Sequence, residues 1–223
     1  MWQPGADMRT AFPLMILMML SGCRPAAKTM PPEKRGWMLL DEVHASSWQA
    51  AGIPDEGLFS LRDGTLTIPV GLPMSGCKFP VWHDLGLPDT HYAITYEAMR
   101  VEGEDIFGMC TFPVGSHQAH ATFVLGGWGG TLTGISSLDF KDASENSTRA
   151  EQKFANQVWH RVRLEVRPED IRAWVNDRLV VNVSIKGRRV TLRPGFIDHC
   201  LPFGFATWNT VGQIRRVTVE TLP

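Results

Sequence analysis

Between Val158 and Val166 the chain alternates without a break. Val158, His160, Val162, Leu164 and Val166 point one way, and Trp159, Arg161, Arg163 and Glu165 point the other. A period of two places side chains on opposite faces of a β-strand and is incompatible with the 3.6-residue period of a helix. The pattern recurs in Tyr92–Val101, where Tyr92, Ile94, Tyr96 and Ala98 oppose Ala93, Thr95, Glu97 and Met99. Leu58–Arg62, the Asp63-Gly64 pair and Thr65–Val70 spell strand, turn and strand, since Asp-Gly suits the positive φ values of a two-residue hairpin. Ile171–Val175 and Arg178–Val183 flank a second such turn at Asn176-Asp177, and Gly204–Trp208 and Ile214–Thr221 supply two more strands. No stretch sustains a long helical period. Short, regularly spaced strands separated by Gly and Pro turns predict an all-β sandwich or barrel.

Charge excludes one class of partner. The 22 Lys and Arg residues against 23 Asp and Glu give a net charge of −1 with both signs interspersed. A basic stripe, the electrostatic footprint of nucleic-acid binding, is missing, so no nucleic-acid partner is expected. Near the start, Leu14–Cys23 reads LMILMMLSGC behind Arg9. This apolar run is shorter than the roughly 20 residues that span a bilayer, and it fits the apolar region of an export signal. Its small-small-Cys ending resembles a bacterial lipobox, which predicts lipidation at Cys23. The expected organisation is therefore a signal peptide over 1–22, a Pro- and charge-rich tether over 23–36, and one folded domain over 37–223. The protein would be exported and lipid-anchored to the cell envelope, touching the membrane through the lipid only. Cys77, Cys110 and Cys200 are then an odd set, compatible with one disulfide plus a thiol or with three buried thiols.

The motifs WMLLDEVHASSWQAAG and LFSLRDGTLTI, followed in order by YAITYEAMRVEGEDIFGMCTFPVG and FVLGGWGGTLTGISSLDFKDASENST, resemble successive segments of a bacterial family, DUF1080, the 3-keto-disaccharide hydrolases. WHRVRLEVRPEDIRAWVNDRLVV and FGFATWNTVGQIRRVTVE continue the likeness to the end of the chain. The resemblance implies a concanavalin A-like jelly-roll β-sandwich of two antiparallel sheets. It also implies a carbohydrate partner, an oxidised disaccharide or glycoside cleaved by elimination and hydration. Of the family's polar constellation, Glu97 is the position with a match. A non-catalytic, lectin-like carbohydrate-binding module on a membrane anchor is the alternative.

Several residues could carry such chemistry. Glu97, with Thr95 and Met99 on its face, is a candidate general base; pairing with Arg100 or a neighbouring strand is the plainer role. His120 is a second acid–base candidate, while Arg100 and His117 are candidate substrate contacts. Trp128, set in Gly126-Gly-Trp-Gly-Gly130, offers an indole face suited to a pyranose or a plug for the core. His117 and His120 invite a metal. At i and i+3 of one strand, however, they would face opposite ways, and no metal ligand set is expected. His160 reads as a core histidine. Asp139, Asp142, Glu145 and Asn146 form an acidic loop whose oxygens suit calcium, although the spacing fits no EF-hand. No other cofactor is expected. Trp159, Trp174 and Trp208 alternate with polar neighbours and could share a sheet face with Arg161, Arg163 and Arg172.

Overall fold

The computed structural model describes residues 36–223 together with Met1 and Met30. The export signal, Cys23 and nearly all of the expected tether lie outside the described residues. Fifteen strands are formed among the described residues. The first eight are β1 (Trp37–Met38), β2 (Gln49–Ala50), β3 (Ser60–Arg62), β4 (Thr65–Ile68), β5 (Met74–Lys78), β6 (Tyr92–Gly103), β7 (Met109–Pro113) and β8 (His120–Gly126). The remaining seven are β9 (Leu132–Ser136), β10 (Ala150–Glu151), β11 (Trp159–Val166), β12 (Asp170–Val175), β13 (Arg178–Ser184), β14 (Gly204–Trp208) and β15 (Thr210–Thr221). One sheet has eight strands in the order β13-β12-β11-β6-β15-β4-β3, with β1 also paired to β15. The other has seven, in the order β10-β9-β8-β7-β14-β5-β2. Every pairing is antiparallel.

Alternation sets the faces. Tyr92, Ile94, Tyr96 and Ala98 of β6 and Val162, Leu164 and Val166 of β11 enter the core between the sheets. There they meet Cys110, Phe112, Ala121, Phe123, Leu125 and Phe205 from the seven-stranded sheet. Trp48, Phe79, Trp82, Phe203 and Phe205 pack with ring centroids 5.0–5.9 Å apart, the offset and edge contacts that aromatic quadrupoles favour. Two tyrosines reach across the sandwich to backbone. The Tyr92 hydroxyl donates to the Pro113 carbonyl at 2.6 Å, and the Tyr96 hydroxyl to that of Gly108 at 3.1 Å. A buried polar group is thereby satisfied at each sheet contact, which holds the two layers in one register.

Both sequence-predicted hairpins form. β3 pairs with β4 across Asp63-Gly64, and β12 with β13 across Asn176-Asp177. Val158 lies just outside β11 and is exposed. The three cysteines beyond residue 23 are free and buried, which selects the second of the two thiol arrangements. Burial raises all three thiols, that of Cys200 to about 12, so they act as small apolar side chains.

Candidate functional site

The outer face of the seven-stranded sheet carries a second apolar layer: Met74, Met109, Val124, Leu132 and Ala206, capped by Ile197 and Cys200 from the segment before β14. Where the cap stops, a cleft of about 400 Å³ opens. Its floor is Met74, Met109, Thr122 and Val124, and its walls bring together Asp105, Trp128, Asp142, Arg193, Phe196 and Trp208. The mixture is that of a small-molecule site, apolar with a few convergent polar groups.

Each wall residue has a local cause. β8 ends at Gly126, and the following turn has positive φ at Gly126, Trp128, Gly129 and Gly130. At Gly130 a Cβ would lie 2.5 Å from the Glu104 carbonyl oxygen, so glycine is required and the indole of Trp128 is thrown outward, 44% exposed. The Asp105 carboxylate receives the Gly129 N–H at 3.3 Å and fixes the turn from beneath. Asp142 accepts from the Ser136 hydroxyl at 2.8 Å and from the Ala143 N–H at 2.6 Å, and pairs with Arg193 at 2.5 Å. The Arg193 guanidinium also lies 5.9 Å from the centre of the Trp128 ring, within cation–π range. Trp208 ends β14, its backbone N–H donating to the Ile106 carbonyl at 3.0 Å, and the residue is 36% exposed.

Of the site residues singled out from sequence, Trp128 lines this cleft, and Glu97, Arg100, His117 and His120 do not. Glu97 lies on β6, on the outer face of the other sheet. Its carboxylate accepts from Arg215 Nε at 2.6 Å and Arg216 Nη1 at 2.9 Å, so it is paired with a neighbouring strand and not with Arg100. Burial raises this carboxyl, but the two arginines outweigh it and hold it below its ordinary value. That shift runs opposite to what a general base near neutrality requires. Arg100 is buried at the end of the core, donating to Asn156 Oδ1 at 2.6 Å and to the Phe154 carbonyl, with its guanidinium over Phe107. It ties the 154–156 segment to β6. His120 begins β8, and Trp128 follows the other end of that strand, roughly 20 Å away at 3.3 Å per residue. His120 is buried, and burial, with His83 next in effect, lowers its pKa. His117 sits in the β7–β8 turn, 2.9 Å from Asp89. Being in a turn, it escapes the strand alternation that separated it from His120.

Two further expectations change. Trp159 and Trp174 do lie on the outer side of the eight-stranded sheet, where Arg215 stacks 3.9 Å from the Trp159 ring centre. Trp208 belongs to the other sheet, because β14 crosses over between β7 and β5. The oxygens of the acidic loop are turned to other partners. Asp139 binds Arg188 at 2.8 Å, Asp142 binds Arg193, and Asn146 Oδ1 accepts from the Thr148 N–H at 2.9 Å and the Thr148 hydroxyl at 2.6 Å. His160 is the expected core histidine, edge-on to Phe154 at 5.0 Å. Sequence reasoning missed Asp105 and Arg193, which sit in loops without periodicity. It noticed Asp142 and Trp208 but gave them other roles.

No family model matches the chain, and no curated protein matches it significantly in sequence. Among solved structures, the carbohydrate-binding module CBM66 from Bacillus subtilis is similar at 12% identity and a TM-score of 0.52, over 78% of this chain and 96% of that one. The Crh5 transglycosylase is similar at 7% identity and 0.55, over 87% and 89%. A protein described as a glycosidic hydrolase is similar at 10% and 0.50, over 85% and 97%. At such identities the likeness defines the fold. The chain is a jelly-roll β-sandwich of two antiparallel sheets.

Proposed function

We propose that the domain binds carbohydrate, with the cleft on the outer face of the seven-stranded sheet as its saccharide site. The observation that carries this reading is the meeting of two half-exposed indoles, Trp128 and Trp208, with the Asp142–Arg193 pair in one cleft. An indole face packs against the C–H face of a pyranose. A carboxylate and a guanidinium supply the acceptors and donors that ring hydroxyls need. A volume of about 400 Å³ falls in the range of small-ligand pockets. The proteins of similar fold, one a carbohydrate-binding module and one a transglycosylase, support the same reading.

A second reading, cleavage of a 3-keto-glycoside, is favoured by the two carboxylates and one arginine that line the cleft. A 3-keto group acidifies the proton at C2. Asp105 would take that proton as base, Arg193 would polarise the ketone, the C1–O bond would break with the departing oxygen protonated by the Asp105 acid so formed, and water would add across the resulting C1–C2 double bond. Glu97 and His120 lie outside the cleft, which weighs toward binding without turnover. The Leu14–Cys23 signal supports an exported protein held at the envelope through lipidated Cys23, and loss of palmitate labelling in Cys23→Ala tests that placement.

Calorimetric titration of the purified domain with a panel of oligosaccharides and a 3-keto-glucoside tests the site. Saturable binding that is lost in Trp208→Ala supports it, and release of free sugar from the keto substrate promotes the second reading over the first. Saccharide binding that survives both Trp128→Ala and Trp208→Ala places the site elsewhere.

A further inference from the structure

We propose that His83, Asp89 and His117 form a binding site for a divalent transition-metal cation of the zinc type, which buried His120 joins by a turn of its ring. None of these residues lines the saccharide cleft. Asp89 stands between two imidazoles: its Oδ1 is 2.9 Å from His83 Nε2, and its Oδ2 is 2.9 Å from His117 Nδ1. The two rings meet edge to face with centroids 4.0 Å apart. One ligand atom from each of the three residues lies within 4.8 Å of the other two.

Distances decide whether an ion fits. Zinc–nitrogen and zinc–oxygen bonds of about 2.0–2.1 Å at tetrahedral angles put neighbouring ligand atoms roughly 3.3 Å apart. With one Asp89 oxygen on the ion, its 2.9 Å contact opens by about 0.4 Å, while the remaining ligand atoms, within 4.8 Å of one another, draw in toward that spacing by side-chain torsions. His117 is largely exposed and His83 and Asp89 are half-buried, so an ion has an entry path and room for a water ligand.

A second observation points the same way. His120 is 7% exposed, and its Nε2 has no hydrogen-bond partner. The ring donates to the Gln118 backbone, and its electrostatic neighbours are His83, Asp89 and His117. A ligand histidine ordinarily donates its other ring N–H to a carbonyl in this manner, which fixes the tautomer that presents a lone pair to the ion. A buried, unpartnered imidazole nitrogen is costly unless something pairs with it, and His120 stands in the electrostatic field of the three cluster residues.

The backbone holds this geometry before any ion arrives. Gly115 N–H donates to the Asp89 carbonyl at 2.7 Å and Val114 N–H to the Ala119 carbonyl at 2.7 Å, locking the turn that carries His117 to the loop that carries Asp89. His83 follows Trp82, which is completely buried in the core. The ion would join the 79–91 loop to the β7–β8 turn. Imidazole-rich ligation selects zinc, copper, nickel or cobalt over calcium or magnesium.

The test uses tag-free protein stripped with chelator. Zinc titrated by calorimetry is expected to bind one ion per chain. Cobalt is expected to give the visible bands of a low-coordinate site, and zinc to raise the melting temperature. His117→Ala, at an exposed position that leaves folding intact, and Asp89→Asn should each weaken zinc at least about tenfold, and His120→Ala should also weaken it. Zinc affinity unchanged in His117→Ala and Asp89→Asn, binding weaker than about 1 mM to the wild type, or calcium binding as tightly as zinc would each overturn the site. Unchanged affinity in a folded His120→Ala protein would remove His120 from the ligand set.

Discussion

The two outer faces of the sandwich are built from the same alternation and put to opposite uses. On the seven-stranded sheet the outward residues are apolar, a short segment covers part of them, and the uncovered remainder is a cleft walled by Trp128, Trp208, Asp142 and Arg193. On the eight-stranded sheet the outward residues are charged and already matched to one another. Arg163 is 1% exposed, bonded to Glu220 at 2.6 Å and to Glu165 at 3.1 Å, and Arg167 reaches Glu165 at 3.2 Å. Glu97 is held by Arg215 and Arg216, and Arg215 in turn covers Trp159. Asp142 and Arg193 are paired with each other as well, but they wall a cleft beside two exposed indoles, whereas on the eight-stranded face Arg215 covers the Trp159 ring. A carboxylate near a tryptophan therefore says little until its partners are known.

That contrast can be broken by substitution. The largest effect is expected from Arg163→Ala, which leaves Glu165 and Glu220 buried without their cation. Losing one member of a buried ionic network costs about 3–5 kcal/mol, read as a lower urea midpoint with an unchanged slope. An Arg163→Ala protein as stable as wild type would show that the eight-stranded face is not held by its charges. Next comes Trp128→Ala, which removes an exposed ring from a glycine turn. Saccharide affinity should fall about tenfold, corresponding to an aromatic contact of roughly 1.4 kcal/mol, while the melting temperature stays within a degree or two. A large loss of stability instead would make Trp128 a structural plug.

Glu97→Gln should have the smallest effect. The partly exposed ion pair contributes under about 1 kcal/mol, and its pH dependence has a defined sign. Because the folded-state pKa is lowered from 4.5, the pair's stabilisation is present above that value and fades as pH falls below it. The stability gap between wild type and Glu97→Gln should therefore be widest near neutrality and close on acidification, by urea melts at both pH values. A gap that widens in acid would contradict the pairing.

The architecture was legible because it rests on period and turn chemistry. The faces of β6 and β11 and the turns at Asp63-Gly64 and Asn176-Asp177 follow from local rules. The role of Glu97 was not, and a single irregularity explains why. β15 gains one residue against β6 between Arg215 and Thr218, with Arg216 at φ +55°. On a regular strand successive arginines point to opposite faces; the bulge lets both reach one carboxylate. The cleft and the histidine cluster were hidden for a different reason. Asp105, Asp142 and Arg193 lie on loops far apart in sequence, and His117 lies on a turn far from the loop that carries both His83 and Asp89. Nothing periodic links them, and only the order of strands in the seven-stranded sheet brings them together.

The most direct measurement is a calorimetric titration of wild type, Trp208→Ala and Glu97→Gln with the same oligosaccharide. Binding that is lost in Trp208→Ala and unchanged in Glu97→Gln is the predicted result. Loss in Glu97→Gln with full retention in Trp208→Ala would move the site to the eight-stranded face and contradict the account.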